Sequence, residues 1–335
     1  MGPKEEGISL PPGYKVDLSH WQKIPVLNDG FVHLLDVLGS DADICWAARQ
    51  GSGSDKKSPE DDRRLIRYFF AHREMSPLEQ AIVKLHVRLP RDTLRQWIRY
   101  RTARVQEHST RYREAIDSYL VTEPDQWRAQ AKSNKQGSSG MVTNWPAEYT
   151  RGPIKDYTGD APKTIECIVD LDGEFVTVAD CSPGEYLSAR EAWLHKVARE
   201  IYEERLAMGV AKEQAHKDLP MCHYTEMVWN IDLRNLFHLL EERMDSHAQL
   251  EFREYANAIG SQIVAKLFPF CWEAFQDYVV NAMTLSAGEI ALVRAMAHAQ
   301  PLTPLFKSLG WGEDKCRERD EALAKARKIL YGDNS

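Results

Sequence analysis

Residues 95–112 read RQWIRYRTARVQEHSTRY, and they place five arginines, two tyrosines and one glutamate in eighteen positions. The chain around them is acidic, with a formal net charge of -7. From Arg88 to Arg113 the only acids are Asp92 and Glu107. A solvated helix face, a set of structural ion pairs and a nucleic-acid patch all fit such a cluster on charge alone. Unpaired guanidinium groups must find an anion, from a distant part of the fold, from another subunit or from a ligand. An acidic chain lacks the broad positive field that nucleic acid or anionic lipid requires, so a small anionic ligand is the favoured reading.

Upstream of the cluster, Val83, Leu85, Val87 and Leu89 alternate with Lys84, His86 and Arg88, the period of a half-buried strand that Pro90 closes. In RDTLRQWIRYR, Leu94, Trp97 and Ile98 recur at i, i+3 and i+4 and predict an amphipathic helix whose arginines emerge at its far end. Further out, GFVHLLDVLGSDADICWAAR predicts a strand followed by a helix that starts near Ser40, with Asp41 and Asp43 in its first turn. QGSGSDKKSPEDD reads as a loop, followed by a helix carrying Leu65, Ile66, Tyr68, Phe69 and Phe70. Residues 130–164 are polar and punctuated, and TIECIVDLDGEFVTVAD predicts a hairpin around DLDG. From Glu185 the pattern is mostly helical, and SHAQ at 246–249 has the form of a capping box.

The length of 335 residues permits two or three domains or one elaborated one. A hydrophobic content of 43% with 28% charged residues is ordinary for a globular protein. No apolar run approaches the roughly 20 residues that cross a bilayer, and the first residues lack the apolar core of a secretory signal, so a cytoplasmic location is expected. Six scattered cysteines form no C-x-x-C pair, so neither a metal site nor a disulfide framework is expected.

Arg99-Tyr100-Arg101, then seven residues, then Ser109 resembles the R-H-R, seven residues, Ser signature of the flavin-dependent thymidylate synthases, the ThyX family. PLEQ and RQW before it, NKQGSSG after it and RMDSHAQ near the C-terminal third resemble family patterns in the same order. The resemblance implies an α+β, ThyX-like fold with a central, mostly antiparallel sheet flanked by helices. On that reading the chain is one such domain over 1–335, with an arm at 1–25, an insertion at 141–188 containing the hairpin, and a helical extension at 280–335. It also implies a homotetramer with active sites between subunits, FAD as cofactor, and methylenetetrahydrofolate and NADPH as co-substrates. No membrane or nucleic-acid partner is expected.

Carried over residue by residue, the resemblance puts Gln96, Arg99, Glu107, His108, Ser109, Thr110, Arg111 and His216 at the nucleotide. Arg243 matches the arginine at the pyrimidine ring, where a cation would favour the ionised base and activate C5. Ser76, Arg99, Tyr100, Arg101, Glu107, Asp232, Arg234 and His238 are implied at the flavin. Tyr100 stands where the signature has His, Arg104 where a small Ser is common, and Gln106 and His238 where Asn is usual. Gln80 replaces a His and Asp232 an Asn. His216 replaces a phosphate-binding arginine, which leaves Lys212 or Lys217 as possible suppliers of that charge. These departures resemble the branch of nucleoside-antibiotic pathways that methylates UMP as well as dUMP. The function expected is therefore reductive C5-methylation of UMP or dUMP. The alternatives are a dUMP-specific thymidylate synthase and a non-catalytic nucleotide or RNA binder on the same fold.

Overall fold

The computed structural model describes residues 21–53, 58–131, 138–143, 150–151, 164–165, 170–171, 174–175, 182–309, 311 and 317–331. The first described element is strand β1 (Ile24–Val26), which turns through Leu27 at a φ of 59° into β2 (Gly30–Leu38). Gly30 has a positional reason: a Cβ there would lie 1.9 Å from the Tyr255 hydroxyl, which donates to the Arg88 carbonyl at 2.7 Å. Helix α1 (Asp41–Ser52) starts where the acids predict, with the Ser40 side chain accepting from the Asp43 amide. Helix α2 (Pro59–His72) begins inside the stretch read as loop. Ser58 and Asp61 form a reciprocal capping box and Pro59 occupies the first turn, which is enough to nucleate the helix.

A 3₁₀ turn, Ser76–Gln80, leads into β3 (Ile82–Pro90), then α3 (Arg91–Trp97) and β4 (Arg104–Glu107). Three short ribbons follow. β5 (Arg128–Gln130) pairs with β6 (Ser138–Met141), β7 (Thr150–Arg151) runs parallel to β8 (Thr164–Ile165), and β9 (Asp170–Leu171) pairs antiparallel with β10 (Glu174–Phe175). Helix α4 (Pro183–Ala207) and the short α5 (Lys212–Ala215) precede β11 (Tyr224–Asp232), α6 (Leu233–Met244) and α7 (Leu250–Ala258). The SHAQ capping box does not form. Gln249 opens α7 with no side-chain cap, while the Ser246 carbonyl accepts from Arg253 and Asp245 takes the His247 amide. A π-helical stretch, Ile259–Val264, continues into α8 (Ala265–Leu267) and α9 (Pro269–Phe275).

The strands assemble in the order β1-β2-β3-β11-β4, and every neighbouring pair is antiparallel. Alternation fixes its register: Val83, Leu85 and Val87 oppose Ile231, Trp229 and Met227 on one side and Val37, Leu34 and Val32 on the other. That face is buried against α3, α6 and α7, with Trp97 stacked on Phe252 at 4.9 Å and edge-on to Trp229 at 5.3 Å. The opposite face carries Lys84, His86, Arg88 and Glu226, and His86 Nε2 lies 2.9 Å from Glu226 Oε2.

All of this belongs to one compact unit, Met1–Phe275. The second unit, Gln276–Ser335, holds α10 (Ala287–Ala297), α11 (Leu302–Ser308) and α12 (Arg317–Tyr331) around Leu292, Trp311, Ala322 and Ala326. Among the described residues no helix is long and apolar enough to cross a membrane.

Candidate active site

Helix α3 buries Thr93, Leu94 and Trp97 and then stops. The Arg99 and Tyr100 amides donate to the Gln96 and Trp97 carbonyls, closing a turn that delivers Arg99, Tyr100 and Arg101 to the surface before edge strand β4. Ile98 does not join the buried stripe that its spacing predicts. The helix ends at Trp97, and Ile98, whose amide still donates to the Leu94 carbonyl, is 49% exposed. β4 then carries Arg104 opposite Asn230 and Glu107 opposite Met227.

Among the described residues, Arg95, Arg99, Arg101, Arg104 and Arg113 meet no carboxylate, and only Arg111 of the cluster does, at 3.3 Å from Glu213. Five guanidinium groups without counter-ions among the described residues, on the last turn of α3, the turn after it, β4 and the following loop, can form a cradle for external anions.

Beside this turn stands Arg243, in the last turn of α6. Its guanidinium lies over the rings of Phe252 (5.0 Å) and Tyr100 (5.5 Å), and its Nε donates to the Tyr100 hydroxyl at 2.7 Å. That hydroxyl donates in turn to Glu242 at 2.6 Å. Burial, then the Glu242 contact, pushes the Tyr100 phenol up to about 12, so it remains a donor at neutral pH. The Tyr100 ring meets His238 edge-on at 5.9 Å. Arg243, His238, Glu242, Asp245 and His247 line a cavity of about 430 Å³, within the range of small-ligand pockets. Gln96 donates its amide to Gln249 at the start of α7.

The loop from Glu107 to Arg111 is held from β11. Thr225 donates to Glu107 at 3.0 Å, and the His108 amide donates to the Glu226 carbonyl at 2.7 Å. His108 Nε2 lies 3.1 Å from the Glu114 carbonyl. The Ser109 carbonyl accepts from the Tyr112 and Arg113 amides, and Thr110 is buried. Arg91 approaches this loop from the start of α3, with Nη2 3.5 Å from Thr110 Oγ1 and 3.6 Å from Glu107 Oε1. His216 Nδ1 lies 2.7 Å from the Lys212 carbonyl, Lys212 is 3.9 Å from Glu114, and Lys217 is exposed.

Ser76 and Arg234 line a second cavity of about 1290 Å³, bounded also by Trp46, Tyr68, Arg73 and Gln80. Arg234 is ion-paired with Glu79 there. Asp232 is the N-cap of α6, its carboxylate accepting from the Asn235 amide at 2.9 Å. The nominated residues thus fall into groups: the α3–β4 turn with Arg243 and His238, the Glu107–Arg111 loop, and the cavity holding Ser76 and Arg234.

Burial pushes the Cys45 and Cys222 thiols up to about 12 and the Cys271 thiol well above its ordinary value. None of these three is a thiolate at neutral pH, so they offer no nucleophile. Among the described residues no cluster of His, Cys, Asp and Glu suits a metal. Sequence reasoning overlooked Glu242, Phe252 and Arg91. Glu242 and Phe252 sit on either side of RMDSHAQ and were legible only as helix-face residues; Arg91 follows a strand and carries no motif.

Residues 33–270 match the family described as "Thymidylate synthase complementing protein". The flavin-dependent thymidylate synthase of Thermus thermophilus is 35% identical over 303 residues, covering 90% of this chain and 95% of its own. That of Ruegeria pomeroyi is 34% identical over 279 residues, covering 83% and 81%. Among solved structures, the UMP/dUMP methylase PolB from Streptomyces cacaoi is similar. Bound with 5-Br dUMP it superimposes with a TM-score of 0.58 at 25% identity, over 76% of this chain and 97% of that one. Bound with 5-Br UMP the values are 0.57 and 26% over the same shares.

Proposed function

The chain belongs to the flavin-dependent thymidylate synthase family, and from that premise we propose that it methylates C5 of UMP as well as dUMP. Family membership makes it a methyltransferase-type enzyme with FAD as cofactor and folate and a reduced nicotinamide nucleotide as co-substrates. FAD, when bound and reduced, supplies the hydride that completes the new methyl group. The non-catalytic alternative loses its ground.

The observation that carries the reading is the set of five guanidinium groups that meet no carboxylate among the described residues, beside an arginine fixed over two rings. A flavin pyrophosphate and a nucleotide phosphate form the kind of paired negative load this cradle fits. Arg99 serves both anions, with Tyr100, Arg101 and His238 against the flavin. Ser76, Arg234 and the capping Asp232 belong to the flavin side, and Gln96 with Glu107, His108, Ser109, Thr110, Arg111 and His216 to the nucleotide. Arg243 faces the pyrimidine, where its charge favours the ionised base. The cradle and both cavities lie in the first unit; they are completed across subunits of a homotetramer that uses NADPH. The arm, the 141–188 insertion and the C-terminal extension are additions to a single catalytic domain.

Support for UMP comes from a solved methylase of the same fold, held with both a uridine and a deoxyuridine analogue. The substitutions at Tyr100, Arg104, Gln106, His216 and His238 point the same way, since accepting ribose needs only room and a partner for the 2′-hydroxyl. The second reading, strict use of dUMP, is favoured by the higher identity to thymidylate synthases. Product analysis with UMP and dUMP in competition separates them: both products support the broad reading, and 5-methylation of dUMP alone overturns it.

A further inference from the structure

An amide side chain donates from one end and accepts at the other, so a fixed neighbour at one end dictates what the other presents. Gln96, half-buried on α3, gives its NH2 group to the carbonyl oxygen of Gln249, the residue that opens α7. The Gln249 NH2 group in turn donates to the Asp92 carboxylate in the first turn of α3. Asp92 also accepts from the Thr93 amide at 2.6 Å and the Thr93 hydroxyl at 3.3 Å. Three side chains from the starts of two helices therefore form one relay.

The direction of the relay is set at its Asp92 end. An ionised carboxylate only accepts, so Gln249 must turn its NH2 toward Asp92 and its oxygen toward Gln96. Gln96 must then spend its own NH2 on Gln249. Burial pushes the Asp92 carboxyl up, and the charge of Glu251 adds to this, while the donors on Thr93 and Gln249 draw it down. Arg128 offsets the Glu251 charge: its Nη2 lies 2.5 Å from Glu251 Oε1, a pair that also ties β5 to the first turn of α7. A neutralised Glu251 leaves Asp92 freer to stay ionised and hold the relay in one sense.

With its NH2 committed, Gln96 has its carbonyl oxygen left for a ligand. A uridine monophosphate offers few donors to such a group. Its phosphate oxygens accept, and the N3 proton is the one whose loss Arg243 favours. The donor that UMP and dUMP then share is the 3′-hydroxyl of the sugar. We infer that Asp92 and Gln249 are positioning residues that hold the Gln96 carbonyl oxygen toward the nucleotide, where it accepts from that hydroxyl. The inference rests on the nucleotide reading above. An amide set in advance needs no reorientation on binding, which keeps the contact from being spent on ordering the side chain.

The test uses the flavin-loaded enzyme and two probes, dUMP and its 3′-deoxy-3′-fluoro analogue, whose fluorine takes the place of the hydroxyl but cannot donate. Calorimetry should show the wild type binding dUMP about 10-fold more tightly than the fluoro analogue. In Gln249→Met, which keeps the length of the side chain and loses both ends of the amide, that preference is expected to fall to about 2-fold. Asp92→Asn no longer dictates a direction; it should lower the preference to about 3-fold and serves alone if the methionine variant does not retain flavin. Equal affinity of the wild type for the two probes overturns the inference. So does a wild-type preference kept by the variants that retain flavin, and if both affinities have weakened together the relay is purely structural. A wild-type enzyme that binds neither dUMP nor UMP sinks the nucleotide reading itself and is distinguishable from these results.

Discussion

Arg49 and Arg99 carry the same group and have opposite circumstances. Arg49 is buried between α1 and α2, with Nη1 2.5 Å from Asp62. Arg63 is likewise engaged, forking onto Glu273 at 2.8 and 2.7 Å and tying α2 to α9. Arg99 is exposed on a turn and meets no carboxylate among the described residues. A guanidinium that serves the fold has its counter-ion encoded elsewhere in the chain; one that serves a ligand leaves that position open. Composition counts both alike, so the distinction appears only once the partners are placed.

The sharpest way to break the contrast is Asp62→Ala, which strands the buried Arg49 charge. Stability should fall by about 3–5 kcal/mol, read from urea unfolding of the flavin-loaded protein. An unchanged midpoint would mean that the pair is not what holds α1 to α2. Arg243→Ala should do the reverse if, as proposed, its charge acts on the substrate, lowering kcat about 10² to 10³-fold while the unfolding midpoint stays near wild type. Arg99→Ala and Arg101→Ala should each weaken nucleotide or flavin binding by about 1.5 kcal/mol, measured by calorimetry, with stability within about 0.5 kcal/mol of wild type.

The smallest effect concerns the phenol that steadies Arg243. Tyr100 and Tyr119 are both pushed up to about 12 by burial. The unfolded chain releases those protons near pH 10 and the folded chain near 12, so the folded form binds more protons across that window. Stability must therefore decline as pH rises from about 10 to 12. Tyr100→Phe should flatten part of that decline, seen as a smaller loss of urea midpoint between the two pH values. An unaltered slope would show that the phenol of Tyr100 titrates normally.

The parts of the fold that follow local rules were legible. Alternation in β3 gave both its existence and its buried face, and Ser40 with Asp43 gave the start of α1. Ile98 and the SHAQ motif misled because both needed information from outside their own window. Trp97 takes the buried place against Phe252 and Trp229 and Ile98 is left exposed; α7 opens at Gln249, three residues after Ser246, with no side-chain cap. At the site, the arginines of the turn were legible as charge, and the R-x-R spacing tied them to a family. The contacts that make Arg243 a fixed group, from Tyr100, Glu242 and Phe252, join residues 143 and 142 positions apart along the chain or lie on a different helix, and no spacing rule reaches them.

Phe252 has two tenants: Trp97 stacks on it, and the Arg243 cation rests over it. The floor beneath the Arg243 guanidinium is therefore made of the hydrophobic core itself. A change there would cost folding before it could retune selectivity, so adaptation to a new nucleotide is channelled to the rim. Tyr100 and His238, both at least partly open to solvent, stand there beside Arg243.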